Sequence, residues 1–158
     1  SMNVTKRSPG KYEVMIDGGR QSTGLDARAW SQNCEAMGVG EIFVHSIDRD
    51  GTLAGLDLDL GKLIVDSVSV PVVLGGGASS ASHIRDAVDV EGLSGVSLAS
   101  MLHYEIAGNV FSESTVNHDI GNTSFLVSLK EAGFGNARFL PELRDELISR
   151  GVELRGGL

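Results

Sequence analysis

A chain of 158 residues with 41% hydrophobic and 22% charged residues is long enough to bury one core and too apolar to stay a disordered tail. Its formal net charge of -8, with acids and bases interspersed, argues against a nucleic-acid or anionic-membrane surface, because phosphates need a basic footprint. No run approaches a membrane span and the first residues lack the apolar stretch of a signal peptide, so a cytoplasmic protein is expected. The sole cysteine, Cys34, makes no intrachain disulfide and is expected as a packed small side chain.

In chain order, residues 12–16 (YEVMI) read as a strand ending in the turn Asp17-Gly18-Gly19, followed by a helix over 26–37 whose first turn Asp26 can cap. Residues 41–46 (EIFVHS) read as a strand, 56–67 as a helix, 71–74 (PVVL) as the next strand, 80–88 as its helix, and 96–99 as a last strand. EIFV and PVVL have no alternating polar face, as suits parallel strands buried on both sides. The alternation amounts to roughly four βα units and an α/β fold on a parallel sheet. Residues 108–137, rich in polar residues and glycine, read as an insertion before a final helix over 141–150. Pro141 suits a first helical position there and Gly151 a C-terminal cap. All of 1–158 is expected to form one domain.

Ligand groups in parallel α/β folds come from the loops just after the carboxyl ends of the strands. Those loops are Ile47-Asp48-Arg49-Asp50-Gly51-Thr52, Gly75-Gly76-Gly77-Ala78-Ser79, and the segment reaching Ser100. Consecutive glycines before a helix let the backbone approach an anion, toward which free N–H groups at a helix start carry partial positive charge. Ser100 adds a hydroxyl and an N–H, and Asp50-Gly51 a turn. One glycine cluster alone is a tight turn; three motifs on one rim point to a phosphate. His83, His103 and His118 share no ligand-like spacing with acids or cysteine, Trp30 reads as core, and no metal or cofactor is implied.

SIDRDGT at 46–52, GGGA at 75–78 and LAS at 98–100 resemble the cyclase subunit of imidazole glycerol phosphate synthase, a histidine-biosynthesis family. KYEV, DGG and STGLD within 11–26, GVGEI at 38–42 and GVELRGGL at 151–158 extend the resemblance, which leaves the insertion unmatched. It implies the C-terminal half of a (β/α)8 barrel that closes an imidazole ring with ammonia from a glutaminase partner. It also implies a phosphate grip at Asp50, Gly51, Gly77, Ala99 and Ser100.

Departures from the family matter equally. Of its two acid/base aspartates, one would lie in the other half and the second falls on Asn3, a neutral amide unable to exchange a proton near neutral pH. His45 stands where the family carries threonine; histidine titrates near neutrality, so it is a weak candidate base, though an inward strand histidine is more often structural. Glu41 matches one member of the family's charged ammonia gate, and as an isolated buried carboxylate it is expected to have a new partner. Residues 1–5 look several residues short of a full strand.

A half barrel exposes edges and an apolar inner face, so self-association into a two-fold homodimer, or pairing with a complementary N-terminal half, is expected. The ligand expected is a phosphorylated small molecule, and the glutaminase contact is doubtful without a full lower face. The leading expectation is therefore a phosphate-binding, cyclase-like half barrel without the parent activity on its own. The alternatives are an active cyclase or amidotransfer enzyme when paired, and a non-catalytic structural module.

Overall fold

In the computed structural model, residues 1–102 and 140–154 are described. Met2–Ser8 (β1) alternates, burying Met2 and Val4 on one face and turning Asn3 and Thr5 to the other. Lys11–Ile16 (β2) folds back antiparallel, with Val4 opposite Val14. The turn Asp17-Gly18-Gly19 is present with all three residues at positive φ (52, 61 and 87°), and it leads into Gln21–Asp26 (β3), antiparallel to β2. Ala27–Ala36 (α1) begins where Asp26 accepts a hydrogen bond from Ala29 N at 3.0 Å, the cap read from the sequence.

Ile42–Ser46 (β4), Leu58–Val65 (α2), Val72–Gly75 (β5), Ala81–Val88 (α3) and Leu93–Ser97 (β6) then alternate. A helical turn opens at Ser100, and Leu140–Ser149 (α4) follows among the described residues. The sheet order is β3-β2-β1-β4-β5-β6, with β1, β4, β5 and β6 parallel. This is the α/β arrangement of half a (β/α)8 barrel, with an antiparallel hairpin appended to its first strand.

Four parallel strands were expected, but one of them is a different segment. Residues 12–16 run antiparallel, and the parallel strand is β1, which contains the short segment read from residues 1–5. β1 runs on to Ser8, so the strand is seven residues long rather than cut short at residue 5, although its ladder with β4 spans only Met2, Asn3 and Val4, opposite Val44, His45 and Ser46. The last strand lies at 93–97 rather than 96–99. Helix α4 starts at Leu140, which moves Pro141 to its second position. The insertion over 108–137 lies outside the described residues.

One face of the sheet carries the core. Val4, Val44, Val72 and Leu74 pack with Leu60 and Ile64 of α2, Ala27 of α1 and Ala87 of α3, all at 1% exposure or less. Each large side chain among them contributes about 1.5–3 kcal/mol. Trp30 packs against this cluster and Cys34 is half-buried, as read from the sequence. A second cluster joins Ile84 of α3 and Met101 to Leu143, Leu147 and Val152. There the C-terminus of α4 closes with Gly151 N bonded to Ile148 O at 2.9 Å and Val152 N to Leu147 O at 3.0 Å. These are the paired bonds of a glycine-capped helix end, with Val152 and Leu147 supplying its apolar contact.

Phe43 and Val73, on the opposite face, are half-buried and belong to neither cluster. Two-fold closure of the kind expected would set β1 of one copy beside β6 of the other. The outer edge of β1 already carries β2 from Asn3 to Ser8, so that closure requires the hairpin to release this edge.

Candidate functional site

The loop after β4 is pinned at both ends. Asp48 accepts hydrogen bonds from Thr5 Oγ1 at 2.8 Å and Lys6 N at 2.6 Å, tying the loop to β1. Thr52 Oγ1 donates to Arg49 O at 2.7 Å and accepts from Ala54 N at 3.2 Å, and Leu53 takes a left-handed φ of 57° to complete the turn. Gly55 N then donates to Gly77 O at 2.9 Å, joining this loop to the one after β5.

The glycines after β5 are required by this junction. Gly76 and Gly77 sit at φ 101° and 93°, and a Cβ on them would stand 2.5 Å from Ser46 O and from Gly55 O respectively. They make the close backbone approach inferred from the sequence, but the partners they approach are the end of β4 for Gly76 and the loop after it for Gly77. Ser80 caps α3 by accepting from His83 N at 3.2 Å. Ser79 and His83 lie 3.2 Å apart, yet Ser79 Oγ donates to Leu53 O at 2.7 Å and Ser79 N points at His83 Nδ1. The hydroxyl is thus committed to loop structure rather than poised as a nucleophile.

The five residues expected in a phosphate grip, Asp50, Gly51, Gly77, Ala99 and Ser100, line one cleft at the carboxyl ends of β4, β5 and β6. His45, Leu53 and Ser97 line it as well. Sequence reasoning missed Leu53 and Ser97, since their place depends on a left-handed turn and on the β5–β6 register. His45 Nε2 lies 3.3 Å from Asp50 Oδ2, and its ring meets Phe43 edge to face at 5.9 Å. An added Cβ at Gly75 would be 3.0 Å from His45 Nδ1, so glycine leaves room for the ring.

Asn3 is brought next to this histidine. The ladders pair Met15 with Asn3, Asn3 with His45, His45 with Gly75, and Gly75 with Ser97, a single row across five strands. Neighbouring strands lie about 4.8 Å apart, so Asn3 and the imidazole are adjacent on the inner face. Glu41 is at the other end, just before β4. It is exposed rather than buried, so water solvates its carboxylate and the new partner expected for it is not needed. Among the described residues no three His, Cys, Asp or Glu side chains gather as a metal site, and no helix is long and apolar enough to cross a membrane.

The hairpin is fastened by two polar knots. Glu13 accepts from Arg7 Nε at 2.6 Å, Gly24 N at 2.8 Å and the Ser22 hydroxyl, and these donors, led by Ser22, hold its carboxyl down at about 2. Tyr12 donates to Asp57 Oδ1 at 2.9 Å, which also accepts from Leu60 N at 3.1 Å and so caps α2. Burial first, and then the bond to Asp57, pushes the Tyr12 phenol up to about 12.

Comparison with known proteins bears on the same segments. The family described as "Histidine biosynthesis protein" matches residues 2–107. The imidazole glycerol phosphate synthase subunit HisF of Nitratidesulfovibrio vulgaris (strain DP4) is 46% identical over 96 residues, 61% of this chain and 37% of the relative. The HisF subunit of Prochlorococcus marinus (strain NATL1A) is 47% identical over 98 residues, 62% of this chain and 38% of the relative. That of Desulfovibrio desulfuricans (strain ATCC 27774 / DSM 6949 / MB) is 47% identical over 96 residues. The chain therefore spans under two-fifths of the length of these relatives. Four parallel strands with their helices, a cleft at their carboxyl ends and a family match over 2–107 agree, and the chain belongs to the histidine biosynthesis protein family.

Proposed function

We propose that this chain is a phosphate-binding half barrel of the cyclase type that does not carry out the family's ring closure on its own. The observation that carries the reading is the convergence of Asp50, Gly51, Gly77, Ala99 and Ser100 on one cleft. The ligand class is a phosphorylated small molecule, consistent with relatives named for imidazole glycerol phosphate synthesis. Parent catalysis is missing because Asn3 occupies the aspartate position, and an amide neither takes nor gives a proton near neutral pH.

A second half covers the inner face, and in this reading it is another copy of the chain. Phe43 and Val73 are half-buried outside both core clusters, the apolar surface such a partner would take. A second reading, pairing with a separate N-terminal half and recovery of enzyme activity, is favoured by the retained rim residues that line the cleft. Light scattering with and without glycerol 3-phosphate separates the two. A dimer tightened by ligand supports self-association, whereas a monomer that gains mass only with an N-terminal half supports the second.

The cleft itself is tested by calorimetric titration of glycerol 3-phosphate. Ser100→Ala removes a hydroxyl donor to a charged ligand and weakens binding about tenfold, the scale of one charge-assisted bond. Unchanged affinity in both Ser100→Ala and Asp50→Ala would mean that the cleft is only a feature of the fold.

A further inference from the structure

We infer that His45 supplies the positive charge of the cleft, so that a doubly negative phosphate group enters together with a proton on the imidazole. This rests on the phosphate reading above and names the regulation of that site. Phosphate grips commonly pair backbone N–H groups with a cationic side chain. Among the described residues no lysine or arginine lines this cleft, and Asp50 brings a negative charge into it. Among the described lining residues His45 alone has a side chain able to carry a positive charge.

Its surroundings leave that charge to be settled between Asp50 and the ligand. Asp50 Oδ2 lies 3.3 Å from His45 Nε2. Along the row that holds the ring, β2 presents Met15, β1 Asn3, β5 Gly75 and β6 Ser97, all uncharged. On the β4 side, Phe43 meets the ring by its edge. Arg49, the nearest cation in the loop, directs Nη1 to Ala54 O at 3.5 Å. Glu13, farther along β2, is bonded to Arg7, Ser22 and Gly24.

A neutral imidazole that donates from Nε2 to Asp50 keeps a lone pair on Nδ1 and offers an anion nothing. The protonated ring donates from both nitrogens, satisfying Asp50 with one and leaving a charged N–H for the ligand. Binding therefore takes one proton from solution onto His45. No covalent bond forms or breaks.

Sulfate is the probe, because it stays doubly negative while histidine titrates and so contributes no protonation of its own. It is titrated into the intact chain at fixed ionic strength between about pH 5.5 and about pH 8, with His45 ring protons followed by NMR. Above the imidazole midpoint, sulfate affinity should fall about tenfold per pH unit, and the midpoint should rise when sulfate is bound. Well above the imidazole midpoint, calorimetry in buffers of different ionisation heat should count about one proton taken up per sulfate, falling toward none below it. His45→Gln should fold, bind weakly and lose the pH dependence.

Sulfate affinity indifferent to pH in the unmodified chain would overturn the inference while leaving the phosphate cleft standing. So would the same pH dependence persisting in His45→Gln. If neither sulfate nor glycerol 3-phosphate binds at any pH, the phosphate reading and this inference fall together. The NMR titration of the unmodified chain decides the matter even if the variant does not fold.

Discussion

Gly77→Ala and Gly51→Ala form a matched pair, because both glycines line the cleft at positive φ and differ in what surrounds them. At Gly51, φ is 71° and an added Cβ meets nothing within 4 Å, so alanine costs only the left-handed backbone term of about 1 kcal/mol. At Gly77, φ is 93° and the same Cβ would stand 2.5 Å from Gly55 O and 2.9 Å from both Arg49 Cβ and Arg49 O. Two of these are backbone atoms, so relief means parting the loops after β4 and β5. Overpacking of this kind costs about 1–3 kcal/mol. The Gly55 N to Gly77 O bond of 2.9 Å is at risk as well, worth about 1 kcal/mol. With the backbone term, the expected loss at Gly77 is about 4 kcal/mol against about 1 kcal/mol at Gly51. Urea unfolding of both variants measures the difference, with glycerol 3-phosphate titration as a second readout expected to fail first in Gly77→Ala. Equal losses in the two, or a Gly77→Ala loss near 1 kcal/mol, would refute the claim that the junction demands glycine.

Glu13 gives a pH prediction: its folded-state value of about 2 lies below the usual 4.5, so the ionised carboxylate stabilises fully above about pH 4.5 and its contribution is lost as pH falls toward 2. The melting temperatures of the native chain and Glu13→Gln should converge across that window, and a constant gap would show that the knot around Glu13 adds nothing. Tyr12→Phe removes the 2.9 Å bond to Asp57, itself 5% exposed, and leaves that carboxylate with the Leu60 N–H among its described partners. The expected loss is about 2 kcal/mol in urea unfolding, and one under about 0.5 kcal/mol would mean water replaces the phenol at no cost. Leu74→Ala, at a fully buried position packed directly on Gly61, should lose about 3 kcal/mol; a change within about 1 kcal/mol would mean that the site collapses around the smaller side chain.

The strands that were legible in the sequence are those with apolar residues on both faces. Residues 41–46 and 71–74 sit in the middle of the parallel block, where Ile42 to Val44 and Val72 to Leu74 form short apolar runs. β1 was read only over residues 1–5 because its second half, Lys6 to Ser8, is polar and exposed and held by pairing with β2. β3 was missed because QSTGLD is polar and largely exposed at the sheet edge, held by pairing rather than burial. The rim residues were legible because loop chemistry is written locally: aspartate–glycine turns and glycine runs announce their backbone needs. Glu41 was misjudged because burial of a residue at a strand's start depends on what lies beneath the sheet, which local sequence does not encode.

β1 belongs to two neighbours acquired on very different terms. Its pairing with β2 closes across a tight turn, Ser8 opposite Lys11, whereas its fastening to the β4 loop joins Thr5 to Asp48, 43 residues away. Closing the longer loop costs more chain entropy, and hairpins form on a timescale of about microseconds. In refolding, the meander of β1, β2 and β3 therefore assembles first and offers β4 a ready edge, so pulse-labelled amide exchange should protect β2 and β3 before β5 and β6. An appendage to the barrel strand in the finished molecule is, in time, the template on which the parallel block is laid down.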